Sequence, residues 1–265
     1  MQITVESRFS FCLPRRMDAL LQFEAAAIPE QRLLSHETSL PPALRSARVA
    51  AQDDIGERIW ISGEGQVDIA YSACVEIERE ISDVASLPAL PPHSLPGEVV
   101  QYLFDSRFCT ADRLQAFVEE QFAGTSGGAR IAAIRDWIQQ EVSYAPGSSG
   151  AHTTAIDTFV DRRGICRDFA HVLIALARAS TIPARYVACY APGVDPPDFH
   201  AVAEVFLGTS DGSEGGTWQL VDATGMADPA QTVKIGVGRD AADVSFLTSF
   251  GASEFLGHEV RVRAV

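Results

Sequence analysis

The sequence predicts an α+β fold, with an antiparallel β-sandwich first and helices packed on an antiparallel sheet after it. Two observations lead to this prediction. Apolar residues alternate with polar or small ones in the first part of the chain, most clearly at 67–77, as is typical of half-buried strands. Beyond a proline-rich segment, apolar residues recur at helical spacing before a second group of strand-like stretches.

The stretch SLPALPPHSLPG carries four prolines and marks the boundary between the two parts. Proline lacks a backbone donor and has a fixed φ, so this stretch is predicted to be a linker. We predict an N-terminal β-sandwich at 1–87, the linker at 88–98 and a second domain at 99–265. The first part carries no candidate catalytic group, and we expect it to fold on its own and to pack beside a cleft.

The second domain is predicted to begin with helices. Apolar residues at 131, 134 and 138 share one helical face, and a short helix is predicted to end at Gly164. A long apolar helix follows, from about Cys166 to Ser180. Strands are predicted in ARYVACYA, FHAVAEVFL, TWQLVDAT, TVKIGVG and HEVRVRAV.

Charge and composition limit the class of protein. The chain has 35 acidic and 21 basic residues and a net charge of −14, which disfavours nucleic acid as a partner. No apolar run approaches the roughly 20 residues that span a bilayer, so no membrane partner is predicted. The start MQITVESRFSF lacks the pattern of an export signal, which favours the cytoplasm. No spacing typical of a zinc or calcium site is present, so neither metal nor cofactor is predicted.

One of the five cysteines has an unusual position. They are odd in number and lie far apart, so reduced thiols are expected, and four are interpreted as packing residues. Cys166 stands at the start of the long helix, just after a glycine. The free N–H groups and the helix dipole at such a position favour a thiolate.

A base and an acid follow this cysteine in the chain. His200 begins the predicted strand FHAVAEVFL, and Asp222 ends the predicted strand WQLVD. A cysteine nucleophile needs a base to take its proton, and the base needs a third group that fixes its tautomer. Adjacent antiparallel strands lie side by side, so their ends can meet the start of a helix. The three residues are therefore predicted to form a Cys-His-Asp triad.

The stretch GICRDFAHVLIALARASTIPARYV, followed by DFHAVAEVFL and WQLVDATG, resembles the core of the bacterial transglutaminase-like superfamily. That superfamily includes cysteine proteases, peptide amidases and true transglutaminases. The resemblance covers nearly the whole chain and is sharpest from Tyr144 onward. It implies a papain-like fold, a transglutaminase-like domain and a triad of Cys166, His200 and Asp222.

Two positions depart from the family pattern. Val202 stands where the family commonly has tryptophan, and Ala223 stands where it commonly has proline. Both changes are expected to affect substrate choice more than chemistry. Relatives place an aromatic donor upstream of the cysteine, so Tyr144 is a candidate oxyanion donor beside the backbone N–H of Cys166. Trp137 is interpreted as a core residue.

Two polar residues near the cysteine receive structural interpretations. Asp168 is expected to accept donors near the helix start, and His171 is rotated off the face of the cysteine. The predicted function is cysteine-dependent acyl transfer on an amide or peptide through a thioester, with hydrolysis favoured. Transfer to an amine, a non-catalytic binding scaffold and thiol redox chemistry between Cys166 and Cys189 are the alternatives.

Overall fold

The N-terminal half is built on two long antiparallel strands. The computed structural model describes residues 1–213 and 215–265, and its first four strands lie in one sheet. These strands are β1 (Gln2–Leu21), β2 (Gln31–Ser39), β3 (Arg45–Ala50) and β4 (Glu57–Ile77). β1 and β4 pair along nearly their whole lengths, whereas β2 and β3 pair with opposite ends of β4. The predicted sandwich thus takes the form of one hydrogen-bonded sheet that is continuous through β1 and β4.

The alternating pattern of β4 buries one of its faces. Val67, Ile69 and Tyr71 are buried, whereas the residues between them are exposed or half-buried. The buried side chains pack on those of β1, including Phe9 and Phe11. Removing this apolar surface from water contributes about 25 cal/mol per Å² and holds the two long strands together.

The second half places helices before a four-stranded antiparallel sheet, which confirms the predicted α+β class. The helices are α1 (Gly97–Val100), α2 (Gln115–Gln121), α3 (Gly127–Glu141), α4 (Ala155–Asp161) and α5 (Cys166–Ala179). A short parallel pair consists of β5 (Ser143–Tyr144) and β6 (Arg163–Gly164). The sheet has the order β10-β7-β8-β9, with β7 (Ala184–Tyr190), β8 (His200–Gly208), β9 (Gly216–Val221) and β10 (Val233–Gly238).

The helix α4 ends earlier than the sequence predicts. Its last residue is Asp161 rather than one next to Gly164, because Arg162 takes a left-handed conformation with φ of 56° and caps the helix. Gly164 instead lies in β6. This turn brings the chain back to the start of α5.

The helix α5 forms the centre of the second half. Every residue from Asp168 to Arg178 is buried, against β7 and β8 on one side and α3 and α4 on the other. A helix that is enclosed on all sides exposes only its ends. The first turn, with Cys166, therefore remains partly accessible. Within the described residues, none of the helices combines the length and apolar character that crossing a membrane requires.

The last two strands join the first sheet rather than the second. β11 (Leu247–Ser249) and β12 (Glu254–Ala264) both pair with β1. Residues 99–265 are predicted to form the second domain, and the structure differs from that prediction here. The reason is that β4 covers only one edge of β1, so the other edge needs a partner strand. The N-terminal part is consequently completed by the end of the chain.

The proline-rich segment packs closely against the second half. Leu87 is buried in the same core as α5. The N–H of Gly128 donates to the carbonyl of Leu87 at 2.8 Å, and the N–H of Gly208 donates to that of Pro88 at 2.9 Å. The segment therefore connects the two halves as a fixed strap and not as a free tether.

A buried group of charges joins the two halves. Glu204 has no exposed surface and contacts both Arg185, at 2.7 Å, and Lys234. Lys234 also lies 2.5 Å from Glu30, and Arg185 lies 2.9 Å from Asp53. Two carboxylates of the first half therefore complete a charge cluster that is centred on the second sheet. Removing one partner of such a cluster leaves a buried charge that neither an opposite charge nor water stabilises.

We predict that Glu204→Gln lowers the free energy of unfolding by about 3–5 kcal/mol, because Lys234 and Arg185 lose their shared partner. Burial raises the pKa of Glu204, but the two cations outweigh burial and lower it to about 2. Glu204 therefore stabilises the fold above pH 4.5 and loses this effect as the pH falls toward about 2.

Urea unfolding at pH 7 and at pH 3 measures this difference, with the exposed Glu254→Gln as the control variant. The gap between Glu204→Gln and the wild type should be smaller at pH 3. Equal stabilities at pH 7 would show that the cluster does not hold the halves together.

Candidate active site

A glycine and a buried carboxylate build the turn that presents Cys166. Asp168 accepts a hydrogen bond from the backbone N–H of Ile165 at 2.9 Å and so caps the first turn of α5. A Cβ on Gly164 would lie 2.7 Å from the Cβ of Asp168, so only glycine permits this approach. The glycine before the cysteine thus lets the carboxylate close the turn. Ser149 donates a further hydrogen bond to Asp168 at 2.9 Å.

His200 and Asp222 lie side by side at the ends of neighbouring strands. His200 is the first residue of β8, and Asp222 directly follows β9. The Nε2 of His200 lies 3.1 Å from Oδ2 of Asp222. Asp222 also accepts hydrogen bonds from Thr224, through its N–H and its hydroxyl at 2.8 Å, and from the N–H of Ala227 at 2.7 Å. Burial raises the pKa of Asp222, but these bonds outweigh burial and hold it below its ordinary value.

The other ring nitrogen of His200 is free to act on the thiol. Among the described residues its Nδ1 has no hydrogen-bond partner, although Cys166 lies close to the imidazole. Burial lowers the pKa of His200, but the bond to Asp222 and the contact with Cys166 outweigh burial and raise it to about 9. A protonated imidazole beside a thiol is the arrangement that favours a thiolate.

Cys166 and His200 line the same cavity. It has a volume of about 450 Å³ and lies between the first turn of α5 and the segment 241–248. Most of its large side chains are apolar, among them Phe108, Tyr186, Phe199, Ile235, Val244 and Phe246. Gln22 adds a wall from the first half of the chain. A separate cavity of about 410 Å³ touches Asp222 but neither Cys166 nor His200.

The candidate oxyanion donor Tyr144 lies next to the start of α5. It pairs with Gly164 across the short sheet of β5 and β6. Burial and the nearby Cys166 raise its pKa to about 12, although the backbone amide of Cys166 interacts with its hydroxyl and opposes that rise. The two groups named as oxyanion donors therefore lie side by side. Their role in holding an oxyanion stays a prediction.

Two residues with structural interpretations are packed as expected. His171 is fully buried, stacks on Phe108 at 5.2 Å and accepts a hydrogen bond from the N–H of Ala241 at 3.2 Å. Burial lowers its pKa to about 3, so it is neutral. Trp137 lies among other rings, with Phe159 at 5.5 Å. Neither side chain lines the cavity beside Cys166.

The other cysteines differ from Cys166 in their surroundings. All five lie within the described residues and are free thiols. Cys109 and Cys189 are fully buried, and burial raises the pKa of Cys109 to about 12 and that of Cys189 well above its ordinary value. Buried thiols of this kind are poor nucleophiles. Cys12 and Cys74 are half-buried in the first sheet.

Several residues that line the cavity beside Cys166 were not identified as candidates from the sequence. Phe199 directly precedes His200, and Phe246 belongs to the stretch VGRDAADVSF near the end of the chain. Phe199 could have been identified as a candidate wall residue, because it is adjacent to the candidate base His200 in the sequence. The sequence does not place Phe246 or Gln22 at the cavity, because both reach it only through the pairing of distant strands.

This chain is similar to a protein family, to a solved structure and to two mycobacterial proteins. The model of the transglutaminase-like superfamily matches residues 115–223. A solved structure described as "a Putative Cysteine Protease from Cytophaga hutchinsonii" superposes with a TM-score of 0.90 at 30% sequence identity, over 99% of this chain and 90% of that chain. An uncharacterised protein of Mycobacterium leprae is 33% identical over 43% of this chain. An uncharacterised protein of Mycobacterium tuberculosis is 32% identical over 40% of it.

The mycobacterial proteins are considerably longer than the part that matches. The aligned segment spans 41% of the Mycobacterium leprae protein and 37% of the Mycobacterium tuberculosis protein. The match to the Cytophaga protein, in contrast, extends over both chains almost completely. With the family model covering the residues that hold Cys166, His200 and Asp222, the chain belongs to the transglutaminase-like superfamily.

Proposed function

We propose that this chain catalyses cysteine-dependent acyl transfer on a peptide or amide, with hydrolysis as the outcome. Cys166 is the nucleophile and His200 is the base. Asp222 orients the imidazole and stabilises its protonated form. The observation that carries the proposal is the shared cavity of Cys166 and His200, where one ring nitrogen is held by Asp222 and the other is left for the thiol. Family membership supports the same class of chemistry.

The first step transfers the acyl group to the enzyme. The Sγ of Cys166 attacks the carbonyl carbon, and a tetrahedral oxyanion forms. As the C–N bond breaks, His200 gives its proton to the departing amine. The products of this step are a thioester on Cys166, a free amine and a neutral imidazole. The backbone N–H of Cys166 and the hydroxyl of Tyr144 are the donors that we assign to the oxyanion.

The second step releases the acyl group. Neutral His200 takes a proton from water, whose oxygen attacks the thioester carbonyl. The C–S bond then breaks, and the carboxylic acid leaves while the thiol is restored. An amine in place of water would give a transferase by the same route. The Cytophaga relative is described as "a Putative Cysteine Protease", and this description supports water as the acceptor.

The setting of the reaction follows from the composition of the chain. Neither step calls for a cofactor, since the thiol, the imidazole and water supply every proton and electron pair. Five free cysteines favour a reducing compartment, which is the cytoplasm for most proteins. The net charge of −14 favours a peptide or amide substrate over nucleic acid.

We predict that Cys166 is alkylated faster at neutral pH than the other four cysteines. The reason is that Cys166 is partly accessible, stands at a helix start and lies beside an imidazole whose pKa is raised to about 9. Cys189 also pairs with His200 across the sheet, but it is fully buried. Iodoacetamide at limiting amounts, followed by peptide mass spectrometry, gives the order of labelling. The half-buried Cys12 and Cys74 serve as internal controls for access. If either of them reacted as fast as Cys166, the thiol would not be an activated nucleophile.

We expect Asp222→Asn to lower the pKa of His200 from about 9 toward its ordinary value of 6.5. The amide keeps a polar contact but removes the negative charge that supports the imidazolium. Titration of the ring followed by ¹⁵N NMR measures the change, and Asp228→Asn, an exposed position after the same strand, is the control. An unchanged pKa of His200 would mean that Asp222 does not stabilise the protonated ring.

Asp168 and Asp222 are both buried carboxylates, so the same substitution at each position tests which of them has the catalytic role. Asp222→Asn should lower kcat by about two to four orders of magnitude on a peptide p-nitroanilide and leave the fold intact. Asp168→Asn should lower the free energy of unfolding by about 1–3 kcal/mol, because it loses a cap and buried hydrogen bonds, and should lower kcat much less than Asp222→Asn does. Reversed behaviour of the two variants would assign the catalytic role to Asp168.

A further inference from the structure

Stacked aromatic rings form one wall of the cavity beside Cys166. The rings of Phe199 and Phe246 have centroids 4.9 Å apart and planes that differ by 4°. Both side chains line the cavity and are only half-buried. Since Phe199 directly precedes His200, this wall stands next to the proposed base.

The two rings are supported by the core of the first sheet. Phe9, which is buried on β1, contacts Phe199 at 6.1 Å and Phe246 at 5.7 Å, both edge to face. Tyr190 contacts Phe199 from the second sheet at 5.4 Å. Rings held from behind in this way keep one position, so the wall is an organised surface that a ligand can cover.

Apart from His200, the charged side chains that line the cavity are exposed or half-buried. Arg107 is exposed, and Arg167 and Asp198 are half-buried, whereas the apolar side chains Val244 and Ile235 are buried. A cavity of about 450 Å³ with an apolar interior and a few polar groups is typical of a site for a small organic group.

We propose that this cavity selects an acyl donor whose acyl part carries a large apolar side chain, aromatic in preference, and that Phe246 determines this specificity. The proposal rests on the proposed function, because the donor must place its carbonyl at Cys166. An aromatic side chain covers the rings of Phe199 and Phe246 and removes apolar surface from water. A short or charged acyl group leaves those rings uncovered and is therefore a poorer donor.

The experiment compares two activated esters, p-nitrophenyl 3-phenylpropanoate and p-nitrophenyl acetate. In each case the Sγ of Cys166 forms the thioester, the C–O bond to p-nitrophenolate breaks, and water later releases the acid. We expect kcat/KM to favour the phenylpropanoate by at least about 10-fold in the wild type. Phe246→Ala should reduce this preference by about 10-fold and Phe246→Leu by less, because leucine keeps apolar contact but loses the ring.

Phe250→Ala is the matched control, because Phe250 is exposed on the same segment, packs on Trp60 at 5.3 Å and does not line the cavity. Its preference should equal that of the wild type. Cys166→Ala gives the background rate. A thermal melt identifies variants that fail to fold, and Phe246→Leu alone carries the comparison if Phe246→Ala is among them.

Mass spectrometry of the quenched reaction separates the two proposals. Acylation of Cys166 by both esters at equal rates, or an unchanged preference in the folded Phe246 variants, would overturn the specificity proposal and leave the proposed function standing. No acylation of Cys166 by either ester would overturn both. Acylation with the expected preference, reduced in the Phe246 variants and kept in Phe250→Ala, supports both.

Discussion

The candidate site depends on how the first turn of α5 is held. The helix is enclosed on all sides, so its free N–H groups must find partners before the chain enters the core. Asp168 supplies one by reaching back to the N–H of Ile165, and this reach requires Gly164 to lack a side chain. Cys166 is thereby placed at the one end of the helix that meets the cavity. A change in this turn would move the thiol relative to His200, which is fixed by a different element.

The charge on His200 has a similar dependence on its surroundings. A buried imidazole is normally neutral, as His171 demonstrates within the same helix as Cys166. His200 differs because it contacts a carboxylate and a thiol. The bond to His200 lowers the pKa of that carboxylate most, and Ala227 and Thr224 lower it further by donating hydrogen bonds from the turn after β9. The turn therefore helps to keep Asp222 ionised and the imidazole protonated.

Elements that depend on local sequence patterns are predicted better than features that depend on pairing between distant strands. The start of α5, the strands β7 to β10 and the order of Cys166, His200 and Asp222 follow from spacing and burial pattern within short stretches. The end of the chain does not, because an alternating strand such as β12 fits any free edge, and its partner β1 lies at the opposite end of the sequence. Phe246 directly precedes β11 and reaches the cavity through the pairing of β11 with β1, which is equally distant in the sequence, so the wall could not be predicted.

The departures from the family pattern lie outside the cavity. Val202 is buried with Val187 and Cys189, and it does not line the cavity beside Cys166. Ala223 replaces proline at a position whose N–H is not among the donors to Asp222, so the turn that ionises Asp222 is unaffected. Neither residue lines the cavity, so the structure shows no contact through which either departure would affect substrate choice. The side chains that we propose for that choice come from two other sources, the residue before His200 and the segment that returns to β1. The fold that unites the two halves thus also completes the cavity beside Cys166.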